Sequence, residues 1–243
     1  MKRHIIPSLL ILSLLAMAAC GGDKSKEKES LAQKAPPARW INLFNGKDFE
    51  GWQMFGKREI SSQWKVEDGL IKCNSDSSFQ SAGQQSLVTI EQYGDFELQL
   101  EFRITENGNS GIMYHVSQAP EYKTDYETGP EFQILDDNQD PNRPNNKRLA
   151  SNYDVYAPID NKPFKGINEW NLARIIYNKG HVEHWLNGTK VLEFEEGSDD
   201  WKQRVANSKW ATMPDYAKFK IGHISLQDHG DEVWYRNVKI RRP

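Results

Sequence analysis

Phe96-Glu97-Leu98-Gln99-Leu100-Glu101-Phe102-Arg103-Ile104 is the stretch on which the fold turns. Five apolar residues occupy every second position and four polar ones fall between them. That is the period of a pleated strand with one face in a core and the other in water. Asn107-Gly108-Asn109-Ser110-Gly111 then reads as a turn and Ile112-Met113-Tyr114-His115-Val116 as the return strand. Downstream, Asn168 to Tyr177, His181 to Leu186 and Val191 to Phe194 form a meander, turned by Asn178-Lys179-Gly180 and Asn187-Gly188. Upstream, Trp64 to Cys73 alternates around Asp68-Gly69 as a hairpin, and Trp40 to Lys47 is a short strand ending in Asn-Gly. Phe219 to Gly230 and Val233 to Ile240 make a closing hairpin, while Trp201 to Trp210 is the one short helix. About a dozen short strands with Asn-Gly and Asp-Gly turns predict an all-β, antiparallel β-sandwich in a single domain over residues 40–243.

The N-terminus obeys different rules. Lys2 and Arg3 precede an apolar run from Ile5 to Met17, and Ala18-Ala19-Cys20 follows. This is the layout of a secretory signal peptide over residues 1–19, and its end resembles a bacterial lipoprotein cleavage site, with Cys20 as the lipidated residue. Residues 20–39 are mostly Gly, Ser, Lys, Glu, Gln and Pro, the composition of a solvated tether. The expected location is therefore outside the cytoplasm, as a membrane-anchored lipoprotein in the periplasm or on the outer membrane. With Cys20 lipidated, Cys73 has no partner for a disulfide. The formal charge is −3 and becomes more negative once Lys2 and Arg3 are removed. An acidic chain without a basic cluster argues against nucleic acid as a partner.

Chemistry concentrates in Gly129-Pro130-Glu131-Phe132-Gln133-Ile134-Leu135-Asp136-Asp137. On an extended strand Phe132 and Ile134 face the core, so Glu131 and Gln133 face away from it. Asp136 follows at the strand end, where a bulge could turn it inward. Ser225, Gln227 and His229 alternate opposite Ile224 and Leu226 and reach for the same polar face.

Several segments together resemble the bacterial 3-keto-disaccharide hydrolase family. They are Leu-Phe-Asn-Gly-Lys at 43–47, Asn-Ser-Gly-Ile at 109–112, the Gly129 to Asp137 strand, Glu-Trp-Asn at 169–171, Val-Glu-His-Trp-Leu-Asn-Gly at 182–188, Leu-Gln-Asp-His-Gly at 226–230 and Tyr-Arg-Asn-Val-Lys-Ile at 235–240. The resemblance implies a concanavalin A-like jelly roll that cleaves glycosides already oxidised at C3, in functional partnership with a glycoside 3-oxidoreductase. Some relatives are described as lyases. Glu131-Phe132-Gln133-Ile134-Leu135-Asp136 is also similar to the Glu-x-Asp-x-x-Glu of retaining β-glucanases, with Gln133 and Asp136 replacing two of its three carboxylates. Retaining hydrolysis needs two carboxyls about 5–5.5 Å apart, so that mechanism is not carried over.

A ketone at C3 acidifies the C2 hydrogen, because the carbanion is an enolate. Elimination of the C1 oxygen then needs a general base, an oxyanion stabiliser and an acid, but no carboxylate nucleophile. The catalytic candidates are Glu131, His229, Asp136, His184 and Asp228, with Glu131 and His229 foremost. Candidates for substrate contact are Arg103, Asn109, Tyr114, Gln133, Tyr153, Gln227 and Arg236. Bland readings stand beside these: His184 shares parity with Val182 and Leu186, Asp228 has core parity and can cap a turn, and Arg236 can form a structural ion pair. Asp136, Asp137, Asp140, Asp228 and His229 could hold a divalent cation, but no spacing is diagnostic and the cofactor is left unknown. The alternatives are a non-catalytic carbohydrate-binding lectin and a conventional β-glycoside hydrolase.

Overall fold

The computed structural model describes residues 38–56, 59–74 and 85–242. The expected leader, the lipidated Cys20 and most of the tether lie outside the described residues. The described strands are β1 (Ile41–Asn42), β2 (Trp52–Met54), β3 (Trp64–Glu67), β4 (Leu70–Cys73), β5 (Leu87–Thr89), β6 (Phe96–Ile104) and β7 (Asn109–Val116). They continue with β8 (Glu131–Leu135), β9 (Asn171–Asn178), β10 (His181–Leu186), β11 (Thr189–Glu195), β12 (His223–Leu226) and β13 (Val233–Arg241). A helix, α1 (Asp199–Ala206), is followed by a 3-10 turn over Lys209–Thr212.

All pairing is antiparallel, in two sheets that form a concanavalin A-like jelly roll. The larger runs β11-β10-β9-β6-β13-β4-β3, with β1 also on β13; the smaller runs β2-β5-β12-β7-β8. β6 is central to the larger sheet, and its alternation sets the layers. Phe96, Leu98, Leu100, Phe102 and Ile104 are buried between the sheets. Glu97 and Glu101 point outward, where Arg174 Nε is 2.6 Å from Glu97 and Arg236 Nε is 2.9 Å from Glu101. A Ser110 Oγ–Tyr235 Oη hydrogen bond of 2.6 Å crosses the core from β7 to β13.

The hairpin turns follow their sequences. Asp68 and Gly69, Lys179 and Gly180, and Asn187 and Gly188 all adopt positive φ, as tight two-residue turns require. Five expectations change. β7 does not return beside β6, and β12 and β13 do not close as a hairpin: in each case the two strands lie in different sheets, so the turn between them crosses the sandwich. The strand foreseen over Trp40 to Lys47 is reduced to Ile41–Asn42, and the one over Phe219 to Gly230 to His223–Leu226 with an isolated bridge from Gly222 to Tyr93. Before the latter, Gly222 lies so close to the β7 bulge that a Cβ on it would meet the His115 carbonyl carbon at 2.4 Å. The helix foreseen over Trp201 to Trp210 starts at Ser198, whose side chain accepts from the Trp201 N–H, and ends at Asn207. Lys209 and Trp210 therefore leave helical register and enter the separate turn.

Candidate active site

β8 is the edge strand of the smaller sheet, yet its edge is not bare. The Ala150 N–H donates to the Gln133 carbonyl (2.8 Å), the Gln133 N–H to Ser151 O (3.2 Å) and the Tyr153 N–H to Glu131 O (3.1 Å). An irregular segment thus extends the sheet by one partial strand. It also helps close the polar face that alternation alone leaves open: Glu131 is 3% exposed and Gln133 2%.

Glu131 projects away from the core and lies over the backbone of Gly111, which faces Gln133 across the β7–β8 ladder. A Cβ at Gly111 would stand 2.2 Å from Glu131 Oε1, so the carboxyl occupies the room a side chain would need. Burial pushes the Glu131 carboxyl up to about 8; Asp125 pushes in the same direction, and the Lys209 ammonium pulls it back. Lys209 is held by its backbone, whose N–H donates to Asp154 Oδ2 at 2.8 Å. Its Nζ lies 4.2 Å from the Trp210 ring centre, 4.3 Å from Tyr153 and 5.5 Å from Tyr126. Rings offer a cation attraction but no hydrogen-bond acceptors in their planes. Desolvation accordingly drives the ammonium below its usual range, with Glu131 opposing. Each member of this pair is thereby biased toward its neutral form.

A polar chain leads outward along the same face. Gln133 Nε2 donates to Asn109 Oδ1 at 2.7 Å, and Asn109 Nδ2 is 3.1 Å from His229 Nε2. Because the Asn109 oxygen already accepts, its amide nitrogen donates, and His229 Nε2 is the acceptor. The ring proton of neutral His229 then sits on Nδ1, which faces Asp231 Oδ2 at 3.9 Å. Desolvation holds His229 below the usual histidine range, opposed chiefly by Asp231. Its side chain is 41% exposed, so the chain runs from buried Gln133 to solvent. Gln227 joins through its N–H to Gly111 O (2.9 Å), and its buried Oε1 has no partner among the described residues.

Six of the residues singled out from sequence are therefore brought together: Glu131, Gln133, Asn109, Tyr153, Gln227 and His229. Six are not. Asp136 ends β8 and accepts from the N–H groups of Asn138 (3.0 Å) and Asn107 (3.1 Å); it is a turn cap. Asp228 likewise caps its own turn through the Gly230 N–H at 2.8 Å. His184 is sealed in the core, its ring 4.9 Å from Phe132, donating from Nδ1 to Ala150 O at 3.1 Å; desolvation lowers it to about 4. Tyr114 is buried in the core beside Phe96 and Tyr177. Arg103 and Arg236 emerge on the outer face of the larger sheet, stacked on Trp170 at 5.1 and 4.1 Å, on the opposite surface of the sandwich from Glu131.

Sequence reasoning missed Lys209, Asp125 and Asp231. Asp125 is fully buried, accepts from Ser225 Oγ at 2.6 Å, and is pushed up to about 6 by desolvation. The loop acids considered for a cation have other partners. Asp137 takes the Leu149 N–H (2.8 Å) and Lys162 (2.6 Å), and Asp140 the Asn142 N–H (2.9 Å). His181, Glu183 and Glu193 form a cluster with metal-ligand spacing on the larger sheet's outer face, where Lys190 already engages both carboxylates.

Comparison with known proteins agrees with the fold. The family described as the 3-keto-alpha-glucoside-1,2-lyase-like domain matches residues 39–241. A Bacteroides thetaiotaomicron protein named 3-keto-disaccharide hydrolase is 32% identical over 90% of this chain and 83% of its own. A crystal structure from Parabacteroides distasonis, named as a candidate glycosyl hydrolase, is 38% identical with a TM-score of 0.76, over 84% of this chain and 94% of that one. A second from the same organism, named in the same way, is 25% identical with a TM-score of 0.63, over 84% and 100%.

Proposed function

The chain belongs to the 3-keto-alpha-glucoside-1,2-lyase-like family, and from that premise we propose that it is a glycosidase-type enzyme cleaving 3-keto-glycosides by proton abstraction at C2. The observation that carries this reading is the Glu131 carboxyl, laid over Gly111 in a nearly closed site with the Lys209 ammonium as its charged neighbour. A base for a carbon acid needs a proton affinity near neutrality, and desolvation supplies it.

In this mechanism ionised Glu131 takes the C2 proton. The C2–H electrons form the C2–C3 double bond of an enolate, with the charge on O3 stabilised by the Lys209 ammonium. Collapse of the enolate restores the ketone, forms the C1–C2 double bond and breaks C1–O. The leaving oxygen takes up one proton. Addition of water, hydroxyl to C1 and hydrogen to C2, completes net hydrolysis; release before that step is the lyase outcome. His229, at the exposed end of the Gln133–Asn109 chain, is the second proton carrier. The ketone has to come from an earlier oxidation at C3, so a glycoside 3-oxidoreductase is the implied functional partner. The leader and Cys20 point to export and a lipid anchor.

A double displacement through Glu131 and Asp136 is disfavoured, because both Asp136 oxygens are spent on backbone N–H groups past the strand end. The test is incubation of the purified protein with a 3-keto-glycoside and with its unoxidised parent. Cleavage of the first alone is expected, and Glu131→Gln should lose turnover on the order of 10²-fold or more while still binding. Equal cleavage of both substrates, or full activity in Glu131→Gln, removes the mechanism.

A further inference from the structure

One groove abuts this site, and a second opens beside the first, neither forming part of the proton-transfer group. One, of about 500 Å³, is lined by Tyr122, Tyr126, Glu127, Met213 and Asp215. The other, of about 450 Å³, runs from Tyr122 past Gln118 to Phe55 and Gly56. They share Tyr122 and Lys123, so they meet along one rim. Each falls in the range of roughly 300–1,000 Å³ that holds a small ligand. The first groove abuts the site through two short turns. Tyr126 shows its ring to Lys209 Nζ at 5.5 Å and also lines the groove. The turn that carries Lys209 supplies Thr212 to the groove wall.

The chemistry of the walls is specific. Tyr122 donates to Asp215 Oδ2 at 2.9 Å, which fixes a ring and a carboxylate side by side. Glu127 spends Oε1 on the Lys123 and Thr124 N–H groups and the Thr124 hydroxyl. Carboxylates accept hydrogen bonds from hydroxyls, and ring faces suit the apolar faces of pyranoses. Glu121, Glu127 and Asp215 outnumber Lys123 along the first groove, a balance that turns away an anionic chain.

We propose that this double groove binds the leaving-group side of the substrate, an uncharged oligosaccharide of more than one sugar unit joined at C1 of the oxidised ring. The inference rests on Glu131 as the point of cleavage and adds to it the class of glycoside that is cleaved best.

The experiment compares kcat/KM for 3-keto-glucosides carrying methyl and maltotriosyl leaving groups, in the wild type and in Tyr122→Ala. A rise of about tenfold or more from methyl to maltotriosyl is expected, reflecting added binding energy. Tyr122→Ala should lower the maltotriosyl-to-methyl ratio by a similar factor. A wild-type ratio near one, or a ratio kept in Tyr122→Ala, overturns the proposal, as does a rise produced only by extension at the 4-hydroxyl of the oxidised ring. If circular dichroism shows Tyr122→Ala unfolded, Asp215→Asn takes its place with the same expectation. If neither keto-glycoside is cleaved, the catalytic reading fails and the groove is judged by calorimetry with maltotetraose. Binding that weakens about tenfold in Tyr122→Ala supports it; absence of binding overturns it.

Discussion

Gly111→Ala is the sharpest perturbation of the site, because it leaves every ionisable group in place and moves one of them. The new methyl would start 2.2 Å from Glu131 Oε1, 2.9 Å from Cδ and 3.0 Å from Cγ. An ordinary contact begins at 3.4 Å, so the carboxyl must retreat by about 1.2 Å, and the clash at Cγ prevents it from doing so by rotating its tip alone. Displacements of about 1 Å in a reacting geometry cost on the order of 10²-fold in rate. The backbone itself should not object, since Gly111 lies within β7 and does not have positive φ. Replacing Gly by Ala also lowers the entropy of the unfolded chain, which offsets roughly 0.4–1 kcal/mol of the cost of the clash. The expected result is a fall of about 10²-fold in kcat/KM on a 3-keto-glycoside, with a melting temperature within a few degrees of wild type. Steady-state kinetics and thermal denaturation followed by circular dichroism measure the two quantities. A folded Gly111→Ala protein with wild-type kcat/KM would refute the placement of Glu131 as the base.

Further outcomes follow from the same geometry. As a base pushed up to about 8, Glu131 should give a kcat/KM that rises with pH through that region rather than through the usual carboxylate range; Lys209→Met removes the opposing charge, moves the rise to higher pH and costs on the order of 10²-fold at pH 7. The raised carboxyl also has a stability consequence: between about 4.5 and 8 the folded state keeps a proton that the unfolded state has lost, so wild-type stability declines with rising pH. Glu131→Gln is free of that decline, and its melting temperature relative to wild type should climb by roughly ten degrees from pH 4.5 to pH 8 in parallel scans. Arg236→Gln, on the opposite surface, should keep wild-type kinetics and cost at most about 1 kcal/mol in denaturant unfolding, the scale of an exposed ion pair. Labelling of cells with radioactive palmitate should mark the wild-type chain but not Cys20→Ala.

Period-two alternation identified β6, and the Asp68-Gly69 and Asn187-Gly188 turns fixed the β3–β4 and β10–β11 hairpins; the turn after β6 instead crosses to the other sheet. The same rule set Glu131 and Gln133 apart from Phe132 and Ile134, which is how the structure disposes them. It could not distinguish the two outward faces of a sandwich. Arg103 alternates as cleanly as Glu131 but belongs to the other sheet, and only strand pairing decides that. Asp136 looked like a second site carboxylate because sequence shows adjacency, whereas the chain turns at the strand end and spends both oxygens on backbone. Lys209 was invisible for a different reason. It stands on a short 3-10 turn outside any periodic element, and its meaning comes from Tyr126 and Tyr153, which converge from separate segments on it and on neighbouring Trp210. Asp125 escaped notice on similar grounds, standing on the short 3-10 turn Asp125–Glu127 with a burial that is wholly tertiary.

The final strand, β13, lies not at a margin but in the middle of the larger sheet, between β6 and β4, and its Tyr235 reaches across to Ser110. A chain that lacks Val233–Arg241 can form local hairpins, yet it has a gap where its principal sheet should be continuous. Assembly of the larger sheet must therefore wait for this strand. Removing Lys239–Arg241 would strip partners from β6 and β1 at once, while the Val233–Tyr235 pairing with β4 would remain.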